Sequence, residues 1–379
     1  MSTRYLHGRA FVRGAIQDDT LVTLRDGMIA DVQQTLDVPA EATRTTALIA
    51  PGFIDCHVHG GDGADFMDAD DSANARVLSF HARCGTTALA ATTLSASRPD
   101  LHAAVDAIVR ASYAGRRGAE IVAIHLEGPY INPTRSGAQD LASIRPPDIQ
   151  EIAALVVEAP RMQWLMTIAP ELPGARTLIE HFKGRITFSI GHTAASYGDA
   201  VAALEWGASH FTHLFNAMPG LQHREPGVVG AAFSSVDATA ELIADGIHVH
   251  PAVLRIAART MPNRIALITD AMRACGLPNG NYKLYGYDVT VAEGAARLAN
   301  GTLAGSVLTM AGAVCNMVEL AGMPIEAVLP LATEVPARIL GVADRKGKLE
   351  PGFDADVVLL NEKLAIDRVF AKGEELLPA

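Results

Sequence analysis

Long apolar runs are missing from this sequence of 379 residues. No apolar stretch approaches the roughly 20 residues that cross a bilayer. The first residues, MSTRYLHGRAFVRG, also lack the apolar segment of a signal peptide. These absences argue against a membrane protein and against a membrane as a partner. They predict that the protein is soluble and cytoplasmic.

Positive charge and paired cysteines are scarce as well. The formal net charge is -11, which argues against nucleic acid as a partner because phosphate backbones are bound mainly through Lys and Arg. An anionic substrate would need cations placed locally. The four cysteines are far apart and form no C-x-x-C pair, as expected for reduced thiols in a reducing compartment.

What the chain does contain is a regular alternation of short apolar, strand-like runs with longer Ala-rich, helix-like segments from residue 51 onward. With 49% hydrophobic residues the chain has enough apolar material for a large core. Eight such units predict an α/β protein with a TIM-type (β/α)8 barrel, whose active site lies at the C-terminal ends of the strands. The eight candidate strands are residues 52–60, 85–94, 120–128, 163–171, 186–192, 209–215, 240–246 and 264–270.

The two chain ends have a different pattern from the middle. Residues 1–50 and 345–379 contain short alternating β-like pieces, and Pro-Gly turns at 51–52 and 351–352 separate them from the rest. We therefore predict one small β-sandwich domain built from both ends, flanking a barrel domain of residues 51–344.

Candidate metal ligands occur at the ends of three predicted strands. Glu127, His192 and His213 offer one carboxylate and two imidazoles, a donor set that suits zinc and neighbouring divalent ions. His57 and His59 are two residues apart on a strand, so their side chains share a face and can hold a second ion that Glu127 bridges. The alternative is a hydrogen-bonded histidine pair at the barrel mouth.

Two further observations bear on the chemistry of this centre. The first lysine in the chain is Lys183, so the early strands offer no lysine for carboxylation and a bridging ligand has to be a carboxylate such as Glu127. Asp270 ends the eighth candidate strand and is our first choice for a general base that later acts as an acid. The alternative for Asp270 is a helix N-cap, since AMRA follows it.

Seven motifs in this order resemble the N-acetylglucosamine-6-phosphate deacetylases of the amidohydrolase superfamily. They are PGFIDCHVHGG, HLEGPYIN, GHTAAS, THLFNAMPGLQHREPG, IADGIHVHP, LITDAM and LAGSVLTMAGAV, and they run across nearly the whole chain. Each motif alone has low specificity, whereas their joint order and spacing are highly specific.

The resemblance implies roles for individual residues. It implies metal ligation by Glu127, His192 and His213, acid-base catalysis by Asp270, and a homodimer in which Arg224 grips the 6-phosphate in the neighbouring active site. His248 is implied near the same phosphate. The other implied substrate contacts are Ala138, Gln139, Asn216, Ala217, Asp245, Leu303, Ala304 and Gly305.

The function that the resemblance implies is metal-dependent hydrolysis of N-acetylglucosamine 6-phosphate, a small sugar phosphate, to glucosamine 6-phosphate and acetate. One or two divalent ions per subunit are implied, zinc first, with iron, manganese or cobalt as alternatives; metal binding lowers the pKa of water, which can then attack the acetyl carbonyl. The setting is amino-sugar catabolism and cell-wall recycling. N-acetylgalactosamine 6-phosphate, another amide on the same scaffold and a non-catalytic interaction module are the open alternatives.

The sequence departs from some members of this family at two places. Gln139 stands where many members carry a histidine that polarises the acetyl carbonyl, and an amide can donate a hydrogen bond but cannot become a cation. The chain also keeps His57 and His59, although certain members lack this pair and work with one metal.

Overall fold

The computed structural model describes residues 3–114 and 118–376. Its centre is a sheet of eight parallel strands, each hydrogen-bonded to the next in chain order. Every one of them overlaps a strand predicted from the sequence, so the barrel is confirmed. These barrel strands, numbered one to eight below, are Phe53–Val58, Thr86–Thr93, Glu120–Glu127, Gln163–Ile168, Thr187–Ile190, His210–Phe211, Thr239–Ile243 and Ile265–Ile268.

The barrel closes at the end where the candidate ligands lie. Strands one and eight meet just beyond strand eight, where the N–H of Asp270 donates to the carbonyl of His57 at 2.8 Å. The N–H of His59 donates to the carbonyl of Ala271 at 3.0 Å in the same way. The backbone that closes the barrel therefore carries three of the predicted site residues.

Helices follow most of the barrel strands and cover their outer faces. The helix Arg98–Tyr113 shows why: Leu101, Ala104, Val105 and Ile108 recur at helical spacing and are all buried. The hydroxyl of Ser97 caps this helix by accepting from the N–H of Asp100, a contact worth about 1 kcal/mol. The α-helices are Asp71–Arg83, Arg98–Tyr113, Ile149–Glu158, Ala175–Phe182, Tyr197–Trp206, Gly227–Ser234, Pro251–Thr260, Met310–Glu319, Ile325–Ala332 and Glu334–Ile339, and short 3-10 turns lie at Phe66–Asp68 and Pro133–Arg135.

Both chain ends contribute to a second, mostly antiparallel sheet, as predicted. The link between the ends is the pairing of Leu48–Pro51 with Val357–Leu360, in which Ala50 faces Val358. The predicted fold class is thus confirmed, and the exact domain limits stay a prediction. The strands of this terminal sheet are Arg4–Val12, Ala15–Arg25, Met28–Gln34, Thr43–Arg44, Leu48–Pro51, Val357–Leu360, Ile366–Ala371 and Glu374–Leu376.

A four-stranded antiparallel sheet, the inserted sheet, follows barrel strand eight and was not predicted. It packs Leu284 and Val289 against Leu94 and Met272 at the barrel mouth. The hydroxyl of Tyr285 donates to Asp100 at 2.6 Å, which ties this sheet to the barrel loops. Its strands are Gly280–Leu284, Tyr287–Ala292, Ala295–Leu298 and Leu303–Ser306, and a further short hairpin pairs Gly60–Gly61 with Ala64–Asp65.

Membrane-spanning segments were sought among the helices of the described residues. None of those helices combines the length and the apolar character that crossing a bilayer requires.

Candidate active site

A cavity of about 310 Å³ opens at the C-terminal ends of the barrel strands. This volume is at the small end of the range of small-molecule sites and suits a ligand the size of one substituted sugar. Glu127, His192, His213, His59 and Asp270 line it together. The position agrees with the rule that barrel enzymes carry their active sites at this face.

The first group of candidate ligands combines Glu127, His192 and His213. Glu127 ends barrel strand three, and the histidines lie two residues beyond strands five and six. Oε1 of Glu127 is 3.0 Å from Nε2 of His192 and 3.1 Å from Nε2 of His213, and the two Nε2 atoms are 3.0 Å apart. Tetrahedral zinc with bonds of about 2.0–2.1 Å separates two donors by about 3.3 Å, so the three donors fit one ion.

A second group lies beside the first and consists of His57, His59 and Asp270. Nε2 of His57 is 3.2 Å from Nε2 of His59, which in turn is 3.2 Å from Oδ1 of Asp270. Glu127 joins the two groups, because its Oε1 is 3.4 Å from His57 Nε2 and its Oε2 is 3.3 Å from His59 Nε2. This geometry suits a second ion and equally suits a hydrogen-bonded histidine pair.

Electrostatics show that these groups attract positive charge. Burial lowers the pKa of His57, but the carboxylates of Glu127, Glu241 and Asp270 outweigh burial and raise it well above its usual value. Burial likewise opposes protonation of His59, yet Asp270 and Glu127 raise its pKa to about 9. No Arg or Lys among the described residues pairs with any of these three carboxylates. A divalent ion can take the place of the protons that the two histidines hold.

Three of the site residues have left-handed backbone conformations. The φ angles are 47° at His192, 26° at His213 and 48° at Asp270. Each such conformation costs about 1–3 kcal/mol in a residue other than glycine, and such costs are concentrated at functional sites. Asp270 is followed by turns rather than a helix, so the N-cap alternative is wrong.

Polar partners behind the rings orient two of the four histidines. Nδ1 of His192 lies 2.8 Å from the carbonyl of Arg135, and Nδ1 of His57 lies 3.0 Å from Oε2 of Glu241. Nδ1 of His59 and of His213 is buried without a hydrogen-bond partner in the part of the chain that the structure describes. A ligand histidine held through its second nitrogen is typical of metal sites.

Sequence reasoning missed two buried carboxylates at this site. Glu241 lies inside barrel strand seven, where a charged residue between apolar neighbours is the signal that could have revealed it. Asp55 accepts from the Thr269 hydroxyl at 2.6 Å and from the N–H of His57 at 3.1 Å, so it holds the ends of strands one and eight together. Burial raises the pKa of Asp55 to about 7.

Gln139 lines the cavity, but its amide is turned toward the protein. Its Oε1 accepts from the N–H of Ser95 at 2.6 Å, and its Nε2 donates to Oε2 of Glu127. The side chain therefore fixes the second oxygen of a candidate metal ligand. One of its two amide N–H groups is used in this contact.

Most of the other predicted substrate residues reach the cavity. The ones that line it are Ala138, Asn216, Ala217, His248, Leu303 and Gly305. Gly305 has a φ of 62°, and a Cβ there would lie 2.9 Å from the carbonyl oxygen of Asp270, so the position requires glycine. Thr134, Arg135, Met272 and Leu284 also line the cavity and were not predicted.

Three predicted substrate residues lie off the cavity lining, as does the candidate ligand His57, which is fully buried. Ala304 is fully buried in the inserted sheet. Asp245 lies behind His248, with its Oδ2 2.6 Å from Nδ1 of that ring. Arg224 is exposed on a surface loop, where its Nη1 is 2.8 Å from Nε2 of His223. Within one chain, then, the structure does not bring Arg224 to the other site residues.

The sequence of residues 48–376 matches the amidohydrolase family. The chain belongs to the amidohydrolase family. Its resemblance to the N-acetylglucosamine-6-phosphate deacetylases is confirmed by curated relatives of that name, and a curated N-acetylgalactosamine-6-phosphate deacetylase matches as well. It is 38% identical to the N-acetylgalactosamine-6-phosphate deacetylase of Escherichia coli O157:H7, over 94% of each chain. It is also 38% identical to the N-acetylglucosamine-6-phosphate deacetylase of Bacillus subtilis, over 93% of this chain and 91% of that one.

A solved structure agrees with this amidohydrolase assignment over the full length. It is an aspartate-to-alanine mutant of N-acetyl-D-glucosamine-6-phosphate deacetylase from Mycobacterium smegmatis in complex with N-acetyl-D-glucosamine-6-phosphate. The TM-score is 0.94 at 34% identity, and the match covers 100% of both chains. This amidohydrolase therefore shares the complete architecture of that enzyme, terminal sheet included.

Proposed function

We propose that this chain hydrolyses the acetamide of N-acetylglucosamine 6-phosphate to glucosamine 6-phosphate and acetate. The observation that carries the proposal is the convergence of Glu127, His192 and His213 with Asp270 in one cavity of about 310 Å³. The names of the relatives supply the substrate: the Bacillus subtilis protein is a deacetylase of this sugar phosphate, and the Mycobacterium smegmatis structure contains it.

Asp270 is the proposed general base and acid. Burial raises its pKa, but protonated His57 and His59 outweigh burial and lower it, so with no ion bound the side chain is an anion. It takes a proton from the attacking water and then delivers it to the amine nitrogen as the C–N bond breaks, which restores the carboxylate.

The ligand set is the second part of the proposal. Glu127, His192 and His213 would hold one divalent ion, and His57 and His59 a second. Such an ion, when bound, supplies Lewis acidity to a water and to the acetyl oxygen. Zinc is the metal we expect first, with iron, manganese and cobalt as alternatives, because nitrogen and oxygen donors suit all four.

Acetate release from N-acetylglucosamine 6-phosphate by the purified, metal-supplemented protein tests the reaction. The wild-type chain should turn the substrate over, and an Asp270→Asn variant should not do so at a comparable rate. If the metal-supplemented wild type released no acetate, the proposal would be wrong.

The substrate phosphate is the third part of the proposal. Arg224 carries a planar guanidinium suited to phosphate, and it is exposed and is not part of the cavity lining of its own chain. We therefore place it in the active site of a partner subunit within a homodimer. His248, held by Asp245, would add a donor from the same chain as the cavity.

Mixing two inactive variants tests this placement. An Asp270→Asn chain cannot catalyse but still offers Arg224, whereas an Arg224→Ala chain keeps Asp270 but lacks the phosphate anchor. Random exchange between dimers should restore about a quarter of the wild-type activity, because half of the dimers then hold one complete site. If mixing restores nothing although subunits exchange, Arg224 does not act across the interface.

The sugar epimer is the finer choice within this activity. The N-acetylgalactosamine-6-phosphate deacetylase of Escherichia coli O157:H7 is as similar to this chain as the Bacillus subtilis enzyme, which makes that epimer the second candidate. Comparing kcat/KM for the two 6-phosphates and for free N-acetylglucosamine shows which of these compounds is the preferred substrate. We expect N-acetylglucosamine 6-phosphate to be preferred over the other two.

The cellular setting that we propose is cytoplasmic amino-sugar catabolism and cell-wall recycling. The support is the substrate itself, because a phosphorylated amino sugar is charged and stays in the compartment where it is made. A strain without this gene should fail to grow on N-acetylglucosamine as its only carbon source and should accumulate the 6-phosphate. Normal growth without accumulation would contradict the setting.

A further inference from the structure

We propose that Glu241 is the positioning residue of the second metal position and that it acts through His57. This inference rests on the two-ion centre of the proposed function. Glu241 lies in barrel strand seven, its neighbours Ala240 and Leu242 are apolar, and its exposed fraction is 0%. Nothing in the proposed reaction uses this carboxylate directly.

Both oxygens of Glu241 have polar partners. Oε2 lies 3.0 Å from Nδ1 of His57 and accepts from the backbone N–H of His213 at 2.9 Å. Oε1 lies 3.2 Å from Nε2 of His210. One carboxylate oxygen thus contacts a ligand residue of each metal position at once.

The contact with His57 determines what its ring offers to the candidate metal position. A carboxylate beside Nδ1 favours the tautomer with the proton on that nitrogen, so the lone pair lies on Nε2. Nε2 of His57 faces Oε1 of Glu127 at 3.4 Å and Oδ1 of Asp270 at 3.6 Å, the donors of the proposed centre. Glu241 therefore holds the proton on Nδ1, so that Nε2 is the nitrogen that gives up its proton and becomes the ligand when an ion binds.

The second histidine of this position lacks such support. Nδ1 of His59 is buried and has no hydrogen-bond partner among residues 3–114 and 118–376. The orientation of the pair therefore depends on His57 and on the carboxylate behind it. Loss of such an outer partner typically lowers metal affinity about 10- to 100-fold.

A hydrogen bond to the backbone alone does not account for a carboxylate here, and its other oxygen pairs with buried His210 at 3.2 Å. The interior of strand seven is apolar, and a buried carboxylate carries a desolvation cost that a hydrophobic residue of similar volume avoids. The hydrogen bond to the His213 backbone adds a link to the first metal position, but an uncharged amide could accept it equally well. What an amide cannot provide is the negative charge beside His57.

Metal titration of a Glu241→Gln variant tests the inference without measuring catalysis. Equilibrium dialysis against Zn²⁺, with metal analysis per chain, should give two ions for the wild type. The variant should keep the affinity of the first ion and lose about 10- to 100-fold at the second. His57→Asn should cause the same selective loss, and combining it with Glu241→Gln should add little, because both act through one ring.

A matched control is Glu151→Gln, the same substitution at another buried glutamate of the barrel domain. Glu151 contacts Tyr130 and Arg145 rather than the cavity, so this variant should bind both ions as the wild type does. The visible spectrum of Co²⁺-substituted protein gives a second readout, since only the signal of the second ion should change in Glu241→Gln.

Three results would overturn the inference. They are wild-type affinity at both positions in Glu241→Gln, an equal loss at both positions, and a wild-type chain that never takes a second ion. Failure of the proposed function looks different: metal-loaded wild type would release no acetate, while the selective effect of Glu241→Gln on the second ion would persist.

Discussion

Two clusters of buried charge among the described residues differ in how their carboxylates are balanced. One lies at the barrel mouth and the other where the barrel meets the terminal sheet. At the junction, Nζ of Lys346 is 3.0 Å from Glu120, 2.8 Å from Asp354 and 2.6 Å from Asp356. Arg345 also contacts Glu120, at 2.7 Å. The protein thus supplies its own cations here.

The mouth cluster has as many carboxylates but none of those cations. Glu127, Glu241 and Asp270 face histidine nitrogens, and among the described residues no Arg or Lys pairs with them. Burying anions without a counter-charge is unfavourable, so the junction is complete in itself, whereas the mouth has only the protons of its histidines to balance its carboxylates, and we propose that a metal ion replaces them. On that proposal, the first cluster stabilises the fold and the second serves a reaction.

Among the changes that distinguish the two clusters, metal removal should have the largest effect on activity. Dialysis of the protein against a strong chelator should lower acetate release to background, and added Zn²⁺ should restore it, because the mouth depends on an external ion. The junction needs no ion, so the terminal sheet should stay folded, as followed by circular dichroism. Full turnover after complete metal removal would contradict the assignment of the mouth.

Substitution of Asp270 by Asn should have the next largest effect on activity. We expect kcat to fall about 10²- to 10⁴-fold, because an amide cannot accept the proton of water. The first ion should remain, as measured by metal analysis. Asp356→Asn at the junction is the matched control: it should lower the free energy of unfolding and leave kcat unchanged.

Substitution of Lys346 by Met should have the opposite pattern from Asp270→Asn. Its ammonium group is almost fully buried among carboxylates, so removing it should lower the free energy of unfolding by about 3–5 kcal/mol. Denaturant unfolding measures that change. Metal content and kcat at a temperature where the variant is folded should match the wild type, and a loss of bound metal would show that the clusters are coupled.

Acid should lower the free energy of unfolding through Glu120 at the junction, by less than the Lys346→Met substitution does. Burial raises the pKa of this carboxyl, but Arg345 and Lys346 outweigh burial and lower it from 4.5 to about 2. A lowered folded-state pKa stabilises the fold above pH 4.5, and that contribution is lost as the pH falls toward 2. We expect about 2 kcal/mol, because the group is partly exposed. The slope of stability against pH over this range should be shallower in Glu120→Gln, and an unchanged slope would exclude Glu120 as the source.

The sequence predicted the barrel and its first group of ligands because both follow local rules. Apolar runs at regular intervals specified the eight strands, and parallel strands bring their C-terminal ends to one edge. Glu127, His192 and His213 therefore had to meet if the strands formed. The spacing of His57 and His59 likewise placed both on one face of strand one.

What the sequence did not show depends on contacts between distant segments. The inserted sheet has exposed alternating strands that resemble loops in sequence, and its place over the mouth follows from packing of Leu284 against Met272. The left-handed φ angles of His192, His213 and Asp270 do not follow from residue type, because none of the three is a glycine. In the sequence, Glu241 looks like an ordinary strand residue. Its role becomes visible only from the 3.0 Å distance between its Oε2 and Nδ1 of His57.

We propose that the barrel mouth exchanges the protons of its histidines for a divalent ion. The most direct test is metal analysis of wild type and Glu127→Gln, each purified without added metal, alongside acetate release from N-acetylglucosamine 6-phosphate. The account predicts at least one tightly bound divalent ion per wild-type chain, and loss of both ion and activity in the variant. An active wild-type chain free of metal would contradict it.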